Sequence, residues 1–122
     1  MMSSFLDYIH EVFEPFGPVT TRPMFGGHSI FHDGLTFALV DEDILYLKAD
    51  AKSIHLFEDK NLPRFTFEMK GKLGSMNYYQ APDEMFEDPE NALYWATIAF
   101  EAALRAKAKK KPKKKPSPKK GI

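Results

Sequence analysis

The chain of 122 residues contains no cysteine, which excludes disulfide staples, thiolate zinc sites and cysteine nucleophiles together. No apolar run approaches the roughly 20 residues of a membrane-spanning helix. The first residues, Met1 to Glu14, lack the charged start and apolar stretch of a secretory signal. A cytoplasmic protein with no membrane association is therefore expected. Acid is missing from one end of the chain. From Arg105 onward there are one Arg and nine Lys, a charge of +10, while the preceding residues hold seven cations against all seventeen acids, a charge of −10. The formal net charge of zero conceals an acidic body joined to a basic tail. Such asymmetry points to a binding tail, and it makes the folded body a poor nucleic-acid binder on its own.

What is present is enough for one domain with an appendage. Hydrophobic residues make up 43% and aromatics 14%, sufficient for a core of about 100 residues that buries roughly two-thirds of its unfolded surface. Ser3 or Ser4 caps a first helix whose apolar positions Phe5, Leu6, Ile9, Val12 and Phe13 recur at helical spacing, and Pro15, Gly17 and Pro18 end it. From residue 23 to 48 the pattern alternates and turns, predicting three antiparallel strands; Asp33-Gly34 supplies one tight turn and Asp41 to Asp43 the next. Asp50 to Asp59 reads as a short helix, and Arg64 to Met69 with Leu73 to Gln80 as a hairpin around Lys70-Gly71-Lys72. A last helix opens after Pro82 with Asp83 as its cap. Its regular part runs from Glu90 to about Ala108 and carries an apolar stripe of Leu93, Ala96, Thr97 or Ile98, Phe100 and Leu104. The expected fold is α+β in two layers, an antiparallel five-stranded sheet with helices on one face, in the order α-β-β-β-α-β-β-α. Residues 1–106 form the domain. Residues 107–122, rich in lysine and proline, have too little apolar surface to order themselves and contain helix-breaking prolines.

One stretch carries more than its periodicity. Arg22, Met24, Phe25, Gly26 and Gly27 in the string RPMFGG are followed by Leu45, Tyr46, Leu47 and Lys48 in LYLK, then by FTFE from Phe65, SMNYYQAP from Ser75 and WATIAFEAA from Trp95. Taken in that order, these blocks resemble the N-terminal domain of the TfoX/Sxy family, bacterial regulators associated with competence gene expression. The resemblance covers roughly residues 1 to 106. It implies a fold like that of secretion chaperones and, together with sheet edges that need covering, a homodimer; the residues themselves give no sign of catalysis, so no enzymatic activity and no cofactor are expected. It also implies a regulatory role exerted through a protein partner of transcription-factor type, since TfoX/Sxy regulators are thought to work with the cyclic-AMP receptor protein. Those regulators carry a second, C-terminal domain where this sequence has its lysine tail. The alternative is a small dimeric adaptor or chaperone-like module that binds protein and has no DNA role.

Other residues invite chemistry without supplying it. His28 and His32 are four apart, but in a strand that places them about 13 Å apart, too far for one metal; no metal site is expected. Gly26-Gly27 lacks the spacing of a phosphate-cradling loop and reads as a turn or bulge. Arg22 either pairs a carboxylate within the domain or meets a partner. The carboxylates gather at turns and helix starts, as solvated faces do, and Ser75 has no nucleophile-elbow context. The aromatics, among them Phe65, Phe67, Tyr78, Tyr79, Tyr94 and Trp95, recur as core and half-buried sheet residues rather than as a base-stacking platform. The tail differs. Lys109, Lys110, Lys111, Lys113, Lys114, Lys115, Lys119 and Lys120 are candidate nucleic-acid contacts, because clustered lysines displace counterions from any duplex regardless of sequence. Ser117-Pro118-Lys119-Lys120 is similar to the repeats of linker-histone tails. A tail that only aids solubility, or that meets an acidic protein or membrane surface, is the competing reading.

Overall fold

The computed structural model describes residues 4–24 and 26–114. Helix α1 spans Ser4–Val12, and the strands β1 Thr20–Met24, β2 Gly27–His32, β3 Leu35–Asp41 and β4 Ile44–Lys48 follow. Next come helix α2 Ile54–Glu58, strands β5 Arg64–Met69 and β6 Lys72–Gln80, a 3-10 turn at Asp83–Phe86 and helix α3 Pro89–Lys114. The expected α+β class with an antiparallel sheet is correct, but the sheet has six strands rather than five, in the order β1-β2-β3-β4-β6-β5. The additional strand is β1. Its residues, Thr-Thr-Arg-Pro-Met, show no apolar alternation, with three exposed and two half-buried; its place comes from pairing with β2, Thr20 opposite Phe31 through Met24 opposite Gly27. Pro23 is tolerated there because an edge strand has one side without ladder partners.

Three of the connections are two-residue turns with both central residues at positive φ: Asp33-Gly34 at 51° and 77°, Glu42-Asp43 at 52° and 61°, and Lys70-Gly71 at 53° and 78°. That backbone twist matches the twist of paired strands, which is why short hairpins adopt it. One irregularity sets which side chains reach the core. Ile30 pairs with Ala38 and Phe31 with Thr36, so Phe37 is an extra residue on β3. The bulge lets Phe37 and Ala38 both join the main core.

That core lies between the sheet and the helices. Ile9 and Val12 of α1 with Phe13 just after it, Phe57 of α2, and Ala92, Trp95, Ala96, Ala99 and Ala103 of α3 meet Ile30, Val40, Leu45, Leu47 and Tyr79 of the sheet. The opposite face carries a smaller cluster of Leu39, Phe65 and Tyr78, flanked by Met24, Tyr46, Phe67 and Met76. The expected stripe of α3 needs correction. Leu93 and Leu104 are 43% and 46% exposed, while the buried side is an alanine row around Trp95. Small side chains let the helix lie close to the sheet, and a search for large apolar residues passes over them. The helix also starts differently: Asp88, not Asp83, caps it, its Oδ1 accepting the Asn91 amide at 2.8 Å, with Pro89 in the first helical position where its missing N–H costs nothing. At the other end α3 continues past the expected stop near Ala108 to Lys114, through Pro112. Ala and Lys are strong helix formers and extend a helix that is already nucleated without any apolar periodicity.

Candidate nucleic-acid interface

The basic end of the chain is presented by α3, and two anchors fix that helix. Near its start the Trp95 indole donates to Glu84 Oε2 at 2.8 Å, the Asn91 amide donates to the Glu84 carbonyl at 3.0 Å, and Lys60 Nζ pairs with Glu84 Oε1 at 3.1 Å. The Trp95 and Lys60 hydrogen bonds hold the Glu84 carboxyl below its ordinary pKa. Near the far end Arg105 grips Asp50 with both arms of its guanidinium, Nε to Oδ2 at 2.6 Å and Nη2 to Oδ1 at 2.9 Å. Asp50 Oδ1 also accepts the backbone amides of Lys52 at 3.1 Å and Ser53 at 3.2 Å. These donors, Arg105 foremost, lower the Asp50 pKa from 3.8 to about 2. A planar guanidinium on a carboxylate is the geometry that best fixes two elements relative to each other.

Beyond Arg105 the helix enters the lysine segment. Lys107 and Lys109 are exposed, and Lys110, Lys111, Lys113 and Lys114 lie on the same helix. Lys115, Lys119 and Lys120 fall outside the described residues. At about 1.5 Å per residue, the segment from Lys107 to Lys114 extends the helix by roughly 10 Å.

The resemblance motifs occupy the other end of the sheet and its middle. Phe25 lies outside the described residues. Gly26 sits at φ 85° in the turn, and Gly27 is buried where a Cβ would come within 2.1 Å of the Val40 carbonyl oxygen. The Met-Phe-Gly-Gly turn is thus conformational: strand β3 passes too close for a side chain at Gly27. Arg22 lies over the Phe31 ring at 5.2 Å, an intramolecular cation–π contact and not a carboxylate pair. Met24 receives a hydrogen bond from Ser29 Oγ at 2.9 Å. Leu45 and Leu47 are buried under the helices, Tyr46 meets Phe65 on the opposite face at 4.9 Å, and Lys48 lies over the Tyr78 ring at 5.0 Å. Burial pushes the Tyr78 phenol up to about 12. The LYLK string is an alternating strand whose two faces serve two cores.

The two histidines of β2 are separated as their strand spacing requires. His32 is enclosed by Phe16 and Phe100, with ring centroids at 4.7 and 4.9 Å, and its Nδ1 hydrogen-bonds the Pro18 carbonyl at 2.7 Å. It is a packing residue. Among the described residues no group of three or more His, Cys, Asp or Glu side chains is placed to hold a metal, and no helix is long and apolar enough to cross a membrane.

The fold and its motif positions can now be set against known proteins. The TfoX N-terminal domain model matches residues 11–103. The chain belongs to the TfoX N-terminal domain family. Among curated relatives, Protein Sxy of Escherichia coli (strain K12) is 25% identical over 92 residues, 75% of this chain and 44% of Sxy. DNA transformation protein TfoX1 of Aliivibrio fischeri (strain ATCC 700601 / ES114) is 27% identical over 85 residues, 70% of this chain and 41% of TfoX1. The chain therefore spans less than half the length of these relatives. The matched TfoX N-terminal region closes at residue 103, just before Arg105, so the lysine-bearing part of α3 lies outside it.

A cavity beside the first of these lysines has no counterpart in the sequence pattern. Asp50, Lys52, Asn77, Arg105 and Lys109 come together around one cavity of about 320 Å3, with alanines in its lining. The signal available in the sequence was the single Arg105 at the start of the basic segment, which has no meaning until Asp50 is brought beside it.

Proposed function

We propose that this TfoX N-terminal domain protein is a non-enzymatic, cytoplasmic regulator of the competence type. It works through contacts with a transcription-factor-type protein, and its lysine-rich C-terminal segment binds nucleic acid without sequence preference. The observation that carries the reading is the pairing of a family match over residues 11–103 with a +10 segment continuing from helix α3. The similarity to TfoX1, a DNA transformation protein, supports the same direction. Lysines at this density attract phosphates by counterion release, which fixes affinity but reads no bases.

The test is the salt dependence of binding to a labelled duplex. Engagement of about half of the ten positive charges gives a log–log slope of about −4 to −5, a loss of roughly 250- to 1,000-fold between 50 and 200 mM salt. Changing Lys109, Lys110, Lys111, Lys113, Lys114 and Lys115 together to Gln should remove most of that slope, whereas Arg22→Gln should leave it unchanged. Binding that keeps its full slope in the six-fold variant, or that discriminates sharply between duplex sequences at 200 mM salt, refutes the reading.

A second reading, a dimeric adaptor with no DNA role, is favoured by the outward side of α3, where Leu93, Tyr94 and Leu104 are 43%, 52% and 46% exposed. Such residues match the composition of protein interfaces. A homodimer belongs to both readings; sedimentation equilibrium giving the 14.0 kDa monomer mass across micromolar concentrations excludes it.

A further inference from the structure

The folded body is acidic overall, yet its cations are not spread evenly. The cavity beside the C-terminal half of α3 is lined by Lys48, Lys52, Asn77, Arg105 and Lys109, together with Ala49, Ala51, Ala102 and Ala106. Arg64 does not line the cavity itself but reaches its lining residue Asn77, donating from Nη2 to Asn77 Oδ1 at 2.5 Å and from Nε to the Met76 carbonyl at 3.1 Å. Among the described residues lining this cavity, Asp50 is the one acid, and its two oxygens are already occupied by Arg105, by two backbone amides and by the Ser53 hydroxyl at 3.3 Å. A carboxylate satisfied in this way repels an incoming anion far less than a bare one, since its charge is matched by the guanidinium. The nearest further acid on the helix is Glu101, one turn before Arg105, where its field reaches the same guanidinium.

We propose that this cavity is a phosphodiester site, seating one sugar–phosphate unit of a nucleic-acid backbone and extending the lysine-bearing end of α3 onto the folded domain. Lys52, in the turn before α2, and Lys109 of α3 both line the cavity, and Arg64, bonded to the lining residue Asn77, adds a third cation beside it. Arg105 holds the walls together through Asp50 rather than meeting the ligand. The four alanines of the lining accept the apolar side of a sugar, and the volume of about 320 Å3 lies at the lower end of the range for small-molecule sites. Geometry adds a second argument. Arg105 and Lys109 are one turn apart on the same side of α3, so the cavity opens directly onto the helix that carries Lys110 to Lys114. A backbone following that helix meets the cavity without bending away. The acidic body then contributes contacts where a tail acting alone would gain only repulsion.

This inference rests on the nucleic-acid reading above, and the experiment separates the two. Anisotropy of a labelled 20-base-pair duplex is followed against salt for the full chain, for Lys52→Gln/Arg64→Gln, and for Gln at Lys110, Lys111, Lys113, Lys114 and Lys115. Each phosphate contact adds about 0.9 to the slope, so the Lys52/Arg64 variant should lose nearly 2 and bind about 60-fold more weakly at 0.1 M salt. Lys52→Arg/Arg64→Lys keeps both charges and should restore the slope. Amide resonances of Ala51, Lys52 and Asn77 should shift when duplex is added to the full chain and to the five-fold Gln variant alike. If the Lys52/Arg64 variant keeps the full slope and those amides do not move, while the five-fold variant loses binding, the cavity proposal is overturned and the tail reading stands. If the full chain shows no salt-dependent binding at all, both fall. Melting temperature of each variant, equal to that of the parent within a few degrees, ensures that the slopes compare folded proteins.

Discussion

Replacing Asp50 by Asn should destabilise the protein at neutral pH and cease to matter in strong acid. Asparagine keeps the oxygen that accepts the Lys52 and Ser53 amides but removes the charge that Arg105 grips. Each tenfold change in proton affinity is worth about 1.4 kcal/mol. A pKa lowered from 3.8 to about 2 therefore corresponds to about 2.5 kcal/mol favouring the ionised native state. Both partners retain solvent contact, 25% for the Asp50 side chain and 33% for Arg105, and screening reduces the expected loss to about 1 to 1.5 kcal/mol. Because the folded-state pKa is depressed, the contribution is present in full above the unfolded pKa near 4. It fades as pH falls from about 4 through 2, since protonation then favours the unfolded chain relative to the native pair. Urea midpoints of parent and Asp50→Asn, measured at intervals from pH 7 to pH 2, should converge over that window. Arg105→Gln should reproduce the same curve. A stability gap that stays constant with pH would refute the argument, because it would trace the loss to altered shape rather than charge.

Gly27→Ala should cost 3 kcal/mol or about that, or prevent folding, since its Cβ would enter the Val40 carbonyl at 2.1 Å. Gly26→Ala, with nothing within 4 Å but a φ of 85°, should cost only about 1 to 2 kcal/mol; equal effects in chemical denaturation would contradict the close-approach account. Trp95→Phe should lose about 1 to 3 kcal/mol from the vacated volume and the forfeited Glu84 hydrogen bond. Calorimetry showing an unchanged melting temperature would mean that the contact at the start of α3 does not anchor the helix.

Much of this architecture is legible in the sequence, for reasons that are local. Asp33-Gly34 and Lys70-Gly71 announce hairpins because their backbone requirement is met within two residues. Ile44 to Leu47 declare a strand as a short apolar run bounded by turn residues, and Ile9 and Val12 a helix face by spacing. The charge segregation, an acidic body and a +10 end, is a property of composition alone. What required the tertiary structure is whatever depends on a distant neighbour. Strand β1 exists because β2 pairs with it, although Thr20 to Met24 carries no pattern of its own. The buried side of α3 is set by how closely the sheet approaches, which selects alanines and leaves Leu93 and Leu104 outside. Gly27 is needed because of Val40, thirteen positions on. The cavity by Lys52 and Lys109 forms only when Arg105 reaches Asp50 across 55 residues of chain. Periodicity and turn chemistry record forces within a few residues; contacts closed by the whole fold leave no such record.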